Sequence, residues 1–228
     1  MSEHVSERVN GCVFCQDLDT VLWRGEQFFI VPDIAPLAAG HALICSVGHY
    51  PSAADLPATA ARELDDIYDR LHGAYLDRYG AFTMFEHGRT GHCLRRRPTE
   101  RICHHTHIHL LPVAGDLIAT LGLGQRAPWR TWSDVGDLGR DTDGYAVLET
   151  VASGRQFFPI SHDLAPHYLR TRTTELIGTP HRADWEAVLS TADNTERLRD
   201  SRRALVDLVD GLTLARRGPG PSDSTALT

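Results

Sequence analysis

The sequence predicts an α+β fold, and three observations carry that prediction. Five short runs rich in β-branched and aromatic residues occur between residues 20 and 113. One long segment of helical period, residues 56–80, separates the third run from the fourth. A second strand pair and several helical segments follow in the C-terminal half. Strands interrupted by a single helix pair mainly with one another, so the expected core is a mostly antiparallel five-stranded sheet with one long helix.

The five runs are TVLWRG (20–25), QFFIVP (27–32), HALICSV (41–47), FTMFEH (82–87) and HTHIHLLPV (105–113). The helix begins after Pro57, repeats Leu64, Ile67, Leu71, Tyr75 and Leu76 along one face, and stops at Gly80. After residue 123 comes a polar, turn-rich stretch, SDVGDLGRDTDG, followed by a hairpin, YAVLETVASGRQFFPI, turning at Ser153 and Gly154. Helices are expected over 164–177, 183–189 and 196–215, the last with a packing stripe of Leu198, Leu205, Leu208, Val209 and Leu212. The domain reading is a first unit at 1–123, a hairpin and helical extension packed on it at 124–216, and a disordered tail at 217–228, where apolar anchors are lacking.

Composition excludes several classes. The chain has 228 residues with 42% hydrophobic and 23% charged content, which is ordinary for a globular protein. No apolar run is long enough to span a bilayer, and MSEHVSERVN resembles no secretion signal, so a cytoplasmic protein is expected. The net charge of −7 argues against a nucleic-acid partner. Five cysteines, an odd number, do not suggest a disulfide framework. All 23 basic residues are arginines, and Arg89, Arg95, Arg96, Arg97 and Arg101 gather in one short stretch opposed only by Glu100. Such a cluster in an acidic protein suits a polyanion.

The chemistry concentrates in CHHTHIHLLP, residues 103–112. Alternate residues of a strand face one side, so His105, His107 and His109 would project together at intervals of roughly 7 Å. Three imidazoles on one face are poor core residues, because each has ring nitrogens to satisfy. They could bind zinc, or one could act as nucleophile while its neighbours donate protons and hydrogen bonds. Near the N-terminus, Cys12 and Cys15 form a Cys-x-x-Cys pair able to grip one metal ion.

Together these segments resemble the histidine triad (HIT) superfamily of nucleotide hydrolases and transferases. The family's His-x-His-x-His followed by two apolar residues stands here as HTHIHLL, its Cys-x-x-Cys as CVFCQ, and its paired strands as FFIVPDIAPLAAGHALICSVGHY. FEHG before the triad is similar to a bacterial branch, and the whole resemblance covers residues 12–113.

The resemblance implies a HIT-like fold and a site assembled from named residues. His107 would attack the α-phosphorus to give a covalent nucleotidyl intermediate, and His109 would hydrogen-bond the phosphate or leaving-group oxygen. A structural zinc ion would be held by Cys12, Cys15, His49 and His105. Asp33 would hold the ribose hydroxyls, with Phe29 and Ile34 near the base. A homodimer in which two five-stranded sheets join is also implied. The chain departs from the family in having SVGH where Pro-Lys-x-His is common, and arginines where a Gly/Gln/Ser-rich segment usually lines the phosphates. Arg95 and Arg97 are therefore expected to meet a polyanionic leaving group. His167 and Arg170 share a helix face that reads as solvated, and Arg155 lies in the hairpin. Two other readings predict different behaviour: a hydrolase whose three histidines hold a catalytic zinc ion, and a zinc-stabilised module that binds nucleotide without turnover.

Overall fold

The computed structural model of this chain describes residues 13–15, 19–90, 105–162 and 164–216. Its architecture is α+β, with one open antiparallel sheet of eight strands and six α-helices among the described residues. The strands are β1 (Trp23–Arg24), β2 (Phe28–Pro32), β3 (Ala42–Ser46), β4 (Thr83–Glu86), β5 (His107–Leu111), β6 (Ala127–Pro128), β7 (Gly144–Thr150) and β8 (Gly154–Ile160). They lie in the order β1-β2-β3-β5-β4-β7-β8-β6. The helices are α1 (Ala58–Tyr79), α2 (Leu117–Thr120), α3 (Trp132–Gly139), α4 (Tyr168–Leu176), α5 (Trp185–Val188) and α6 (Ala192–Arg216). The tail at 217–228 lies outside the described residues.

The sheet is larger than the expected five strands. The β7–β8 hairpin pairs directly along β4, with Thr83 opposite Thr150 and Glu86 opposite Val147, and β6 then adds to β8. Residues from both 1–123 and 124–216 therefore build the same sheet. Strand period reveals that a segment is a strand, but not which strand will lie beside it.

The long helix forms where its pattern puts it. Pro57 precedes the first turn, and Gly80 closes the last in the left-handed region (φ 62°), its N–H donating to the Leu76 carbonyl at 2.8 Å. Leu64, Ile67, Tyr68, Leu71 and Tyr75 are buried. They meet Ile30, Ile44, Met84, Ile108, Leu110 and Val147 from one sheet face, a core completed by Trp132 of α3 and Leu205 of α6. Each such side chain contributes about 1.5–3 kcal/mol on burial. Helix α3 falls within the stretch read as polar and turn-rich. Thr131 caps it, accepting from the Asp134 N–H at 3.2 Å while the Asp134 carboxylate accepts from the Thr131 N–H at 2.9 Å, and Trp132 and Val135 bury its apolar side.

The other sheet face carries two separate apolar groups. Phe85, Leu111, Leu148 and Phe158 pack with Leu117 of α2 and Leu169 of α4. Phe29, Val31, Leu43 and Cys45 form the second, with Phe14 against them. His107 and His109 emerge on this face, since they lie opposite Cys45 and Leu43 of β3. The site thus sits on the side of the sheet away from α1.

Candidate functional site

Strand β5 supplies the scaffold. His107 and His109 project together with ring centroids 5.4 Å apart, as the alternation predicts. His105 lies just before the strand. Its Nδ1 donates to the Ser46 carbonyl at 2.7 Å, and the Ser46 N–H donates to the Thr106 carbonyl at 2.9 Å, so this end of β5 is tied to β3 just before the regular ladder begins at His107.

Around His105 is a group of metal-ligand type. Cys15 Sγ lies 2.8 Å from His49 Nε2 and 3.3 Å from His105 Nε2, and the two rings are 4.4 Å apart. These three ligand atoms are close enough together to share one ion. A carbonyl only accepts, so the contact with Ser46 puts a proton on His105 Nδ1 and leaves the Nε2 lone pair facing the thiol. Sulfur and imidazole donors of this kind suit zinc. Cys12, the fourth expected ligand, lies outside the described residues, as do Arg95 and Arg97.

A second buried group joins Asp33, His41 and His109. His41 Nε2 is 3.0 Å from His109 Nδ1, and Asp33 Oδ2 is 3.6 Å from the former and 3.5 Å from the latter. The separations alone could accommodate an ion. The proton positions do not. The Leu37 N–H donates to His41 Nδ1 at 3.2 Å, so neutral His41 carries its proton on Nε2, the nitrogen a metal would need. His41 instead donates from Nε2 to His109 Nδ1, which leaves the His109 proton on the opposite nitrogen, Nε2. Burial drives the His41 imidazole down to about 4 despite Asp33, so it is neutral near pH 7. Burial also holds His109 well below the usual histidine value, reinforced by His41, His107 and His87.

His107 has the reverse arrangement. Its Nδ1 lies 3.1 Å from the His105 carbonyl, which fixes a proton there and leaves Nε2 with a free lone pair. The residue is half-buried, and the Phe14 ring stands 5.5 Å from its own. A lone pair on His107 and an N–H donor on the adjacent His109 therefore share one face of the sheet.

Burial raises the Asp33 carboxyl, but His41, Arg170 and the Ala35 N–H outweigh it and keep the group ionised. Phe29 is 2% exposed with the Arg24 guanidinium over its ring, whereas Ile34 is 41% exposed. Arg170 corrects the reading of α4 as a solvated face. It is 4% exposed, and its Nη1 reaches Asp33 Oδ1 at 3.6 Å. His167 does not share this role, since it accepts from the Trp185 indole at 3.1 Å. Arg155 sits on the opposite sheet face, paired with Glu149 at 3.0 Å and Asp69 at 2.7 Å.

His41 stands in the sequence within GHALICSVGHY, where no neighbouring residue assigns it a role. Only its contact with His109, 68 residues away, reveals one. FEHG splits by alternation. Phe85 stacks on His109 at 4.5 Å and His87 approaches it at 6.1 Å, while Glu86 points to the helix side and accepts from the Ala53 N–H at 2.8 Å. Burial lifts the Glu86 carboxyl to about 7, with Ala53 and Tyr145 opposing. No family model matches the chain, and no curated protein matches it.

Proposed function

We propose that the protein is a nucleotidyl hydrolase or transferase of HIT type, acting at the α-phosphate of a nucleotide conjugate through His107. The observation that carries this reading is the pair of opposite proton placements, a lone pair on His107 Nε2 and an N–H on His109 Nε2. In the first step His107 Nε2 attacks the α-phosphorus. An N–P bond forms, the bond from phosphorus to the leaving group breaks, and the leaving group departs with the electron pair as an anion, while the His109 Nε2–H hydrogen-bonds the phosphate or leaving-group oxygen and keeps its proton. In the second step a water molecule, or a second phosphate in a transferase, attacks the same phosphorus. The N–P bond breaks, His107 regains its lone pair, and the proton of an attacking water passes to solvent, while the His109 Nε2–H again hydrogen-bonds a phosphate oxygen.

The Asp33–Ile34 corner, with Phe29 buried behind it, is assigned the nucleoside half, and Arg95 and Arg97 the leaving group's negative charge. The metal assigned to Cys12, Cys15, His49 and His105 is a structural zinc ion, which when bound cross-links the N-terminal segment to the start of β5. His107 and His109 do not belong to that cluster. This favours a histidine nucleophile over the reading in which the triad holds a catalytic ion.

The test is release of nucleoside monophosphate from a dinucleoside polyphosphate, a nucleoside phosphoramidate and a sugar nucleotide, using wild type and His107→Ala. Release by wild type alone supports the proposal and identifies the leaving-group class. Equal release by both proteins overturns the role of His107.

A further inference from the structure

The C-terminal extension reaches the site through the loop that joins β2 to β3. Four of its side chains hold backbone groups of residues 34–41. Asn194 Nδ2 donates to the Ile34 carbonyl at 2.9 Å, and Arg182 Nη2 to that of Pro36 at 3.2 Å. Ser201 Oγ accepts from the Gly40 N–H at 3.2 Å and donates to the His41 carbonyl at 3.2 Å. Arg170 is the fourth side chain, its Nη2 donating to the Ala35 carbonyl. This loop begins at Asp33 and ends at His41, two members of the buried group that orients His109.

Arg170 differs from the other three because it also faces the carboxylate. Its Nε donates to the Arg182 carbonyl at 3.2 Å and its Nη1 faces Asp33 Oδ1 at 3.6 Å. The planar guanidinium is thus fixed at three nitrogens. Asp33 Oδ1 also accepts from the Ala35 N–H at 2.7 Å, so Oδ2 is left toward His41 and His109. The histidine pair consequently meets a fixed anion with its countercharge behind it. Among the described residues, Asp33, Arg170, His87 and His107 are the charged or titratable groups facing the pair, and Arg182 and Asp184 flank Arg170.

We propose that Arg170, supplied by the C-terminal extension, is a positioning residue of the site: it fixes the Asp33 carboxylate, which in turn holds the His41–His109 pair with the His109 proton on Nε2. The role in turnover rests on the nucleotidyl-transfer reading, whereas the effect on His109 does not. Without Arg170, Asp33 would be a buried anion lacking its cation. It would then compete with His109 Nδ1 for the His41 proton or draw a second proton onto the pair, and the single arrangement would be lost.

The experiment is nitrogen-15 NMR of the histidine rings in full-length wild type, Arg170→Gln, Arg170→Lys and Arg172→Gln, at matched metal content. Arg172 lies on the same helix but contacts Glu175 and the Thr120 carbonyl, so its variant controls for general loosening of α4. Wild type and Arg172→Gln are expected to show His109 protonated on Nε2 alone. Arg170→Gln is expected to show a mixed or doubly protonated ring, with Arg170→Lys in between. If the wild type turns over nucleotide, Arg170→Gln should lower kcat by about 10- to 100-fold with little change in KM. An unchanged His109 ring in Arg170→Gln, or the same change in Arg172→Gln, would overturn the proposal. A changed ring in a protein that turns over no nucleotide would uphold Arg170 and defeat the nucleotidyl-transfer reading instead.

Discussion

His41 ties the electrostatics of the site to the stability of the fold. Its imidazole titrates at about 4 when folded and near 6.5 when free, so between those values the unfolded chain binds more protons than the folded one. The stability this group contributes is complete above pH 6.5 and is lost as the pH falls toward 4, a change on the order of 3 kcal/mol. Urea unfolding at pH 7 and pH 5 should show about 2 kcal/mol of that loss in wild type and a shallower one in His41→Gln. Equal pH dependence in the two proteins would contradict the buried, neutral assignment. The alternation of β5 made His107 and His109 readable from sequence, because side-chain period needs no knowledge of the partner strand. His41 and Arg170 were not readable as site residues, since each acquires its role only by meeting a group distant in sequence, His109 or Asp33.

Individual elements follow local rules wherever the signal is local. Gly80 ends α1 in a conformation other residues adopt only under strain, and a Cβ there would meet nothing within 4 Å. Gly80→Ala should therefore cost about 1 kcal/mol from backbone strain alone, measurable by chemical unfolding. A far larger loss would indicate a steric clash that the structure does not contain. Helix α3 opens on a local signal, Thr131 followed by Asp134, set in a stretch whose Gly and Asp residues otherwise mark turns. The start of β5 is tied to β3 by the His105 contact with the Ser46 carbonyl and by the Ser46 N–H on the Thr106 carbonyl. On the proposal that Cys15, His49 and His105 hold an ion, a chelator should speed amide exchange at Thr106 and His107 while leaving α1 unchanged. Uniform exchange across the chain after chelation would instead mean that the ion supports the whole fold.

At the scale of the whole molecule, the extension changes what the sheet can join. The free side of β4 is occupied by β7 from Thr83 to Glu86, and the outermost strands, β1 and β6, are two residues long. Short edges of this kind resist sheet extension. A homodimer of the sort the resemblance implies would have to meet through another surface. Amide protection at Thr83–Glu86 should accordingly be independent of protein concentration, and protection that rises with concentration would show that β4 pairs between copies. The sequence could not reveal this arrangement. The hairpin was recognisable from its period and turn, but its place beside β4 is a matter of topology. No described helix is long and apolar enough to cross a membrane.

The central claim, that His107 forms a bond to phosphorus, is tested most directly by trapping. Wild type is mixed with a reactive adenosine or guanosine conjugate, quenched in alkaline denaturant to preserve the acid-labile N–P bond, and digested for mass spectrometry. The account predicts one nucleoside monophosphate added to the peptide containing residues 105–111, localised to His107 and absent from His107→Ala. Nucleoside monophosphate release by wild type and His107→Ala alike, with no adduct in either protein, would contradict it.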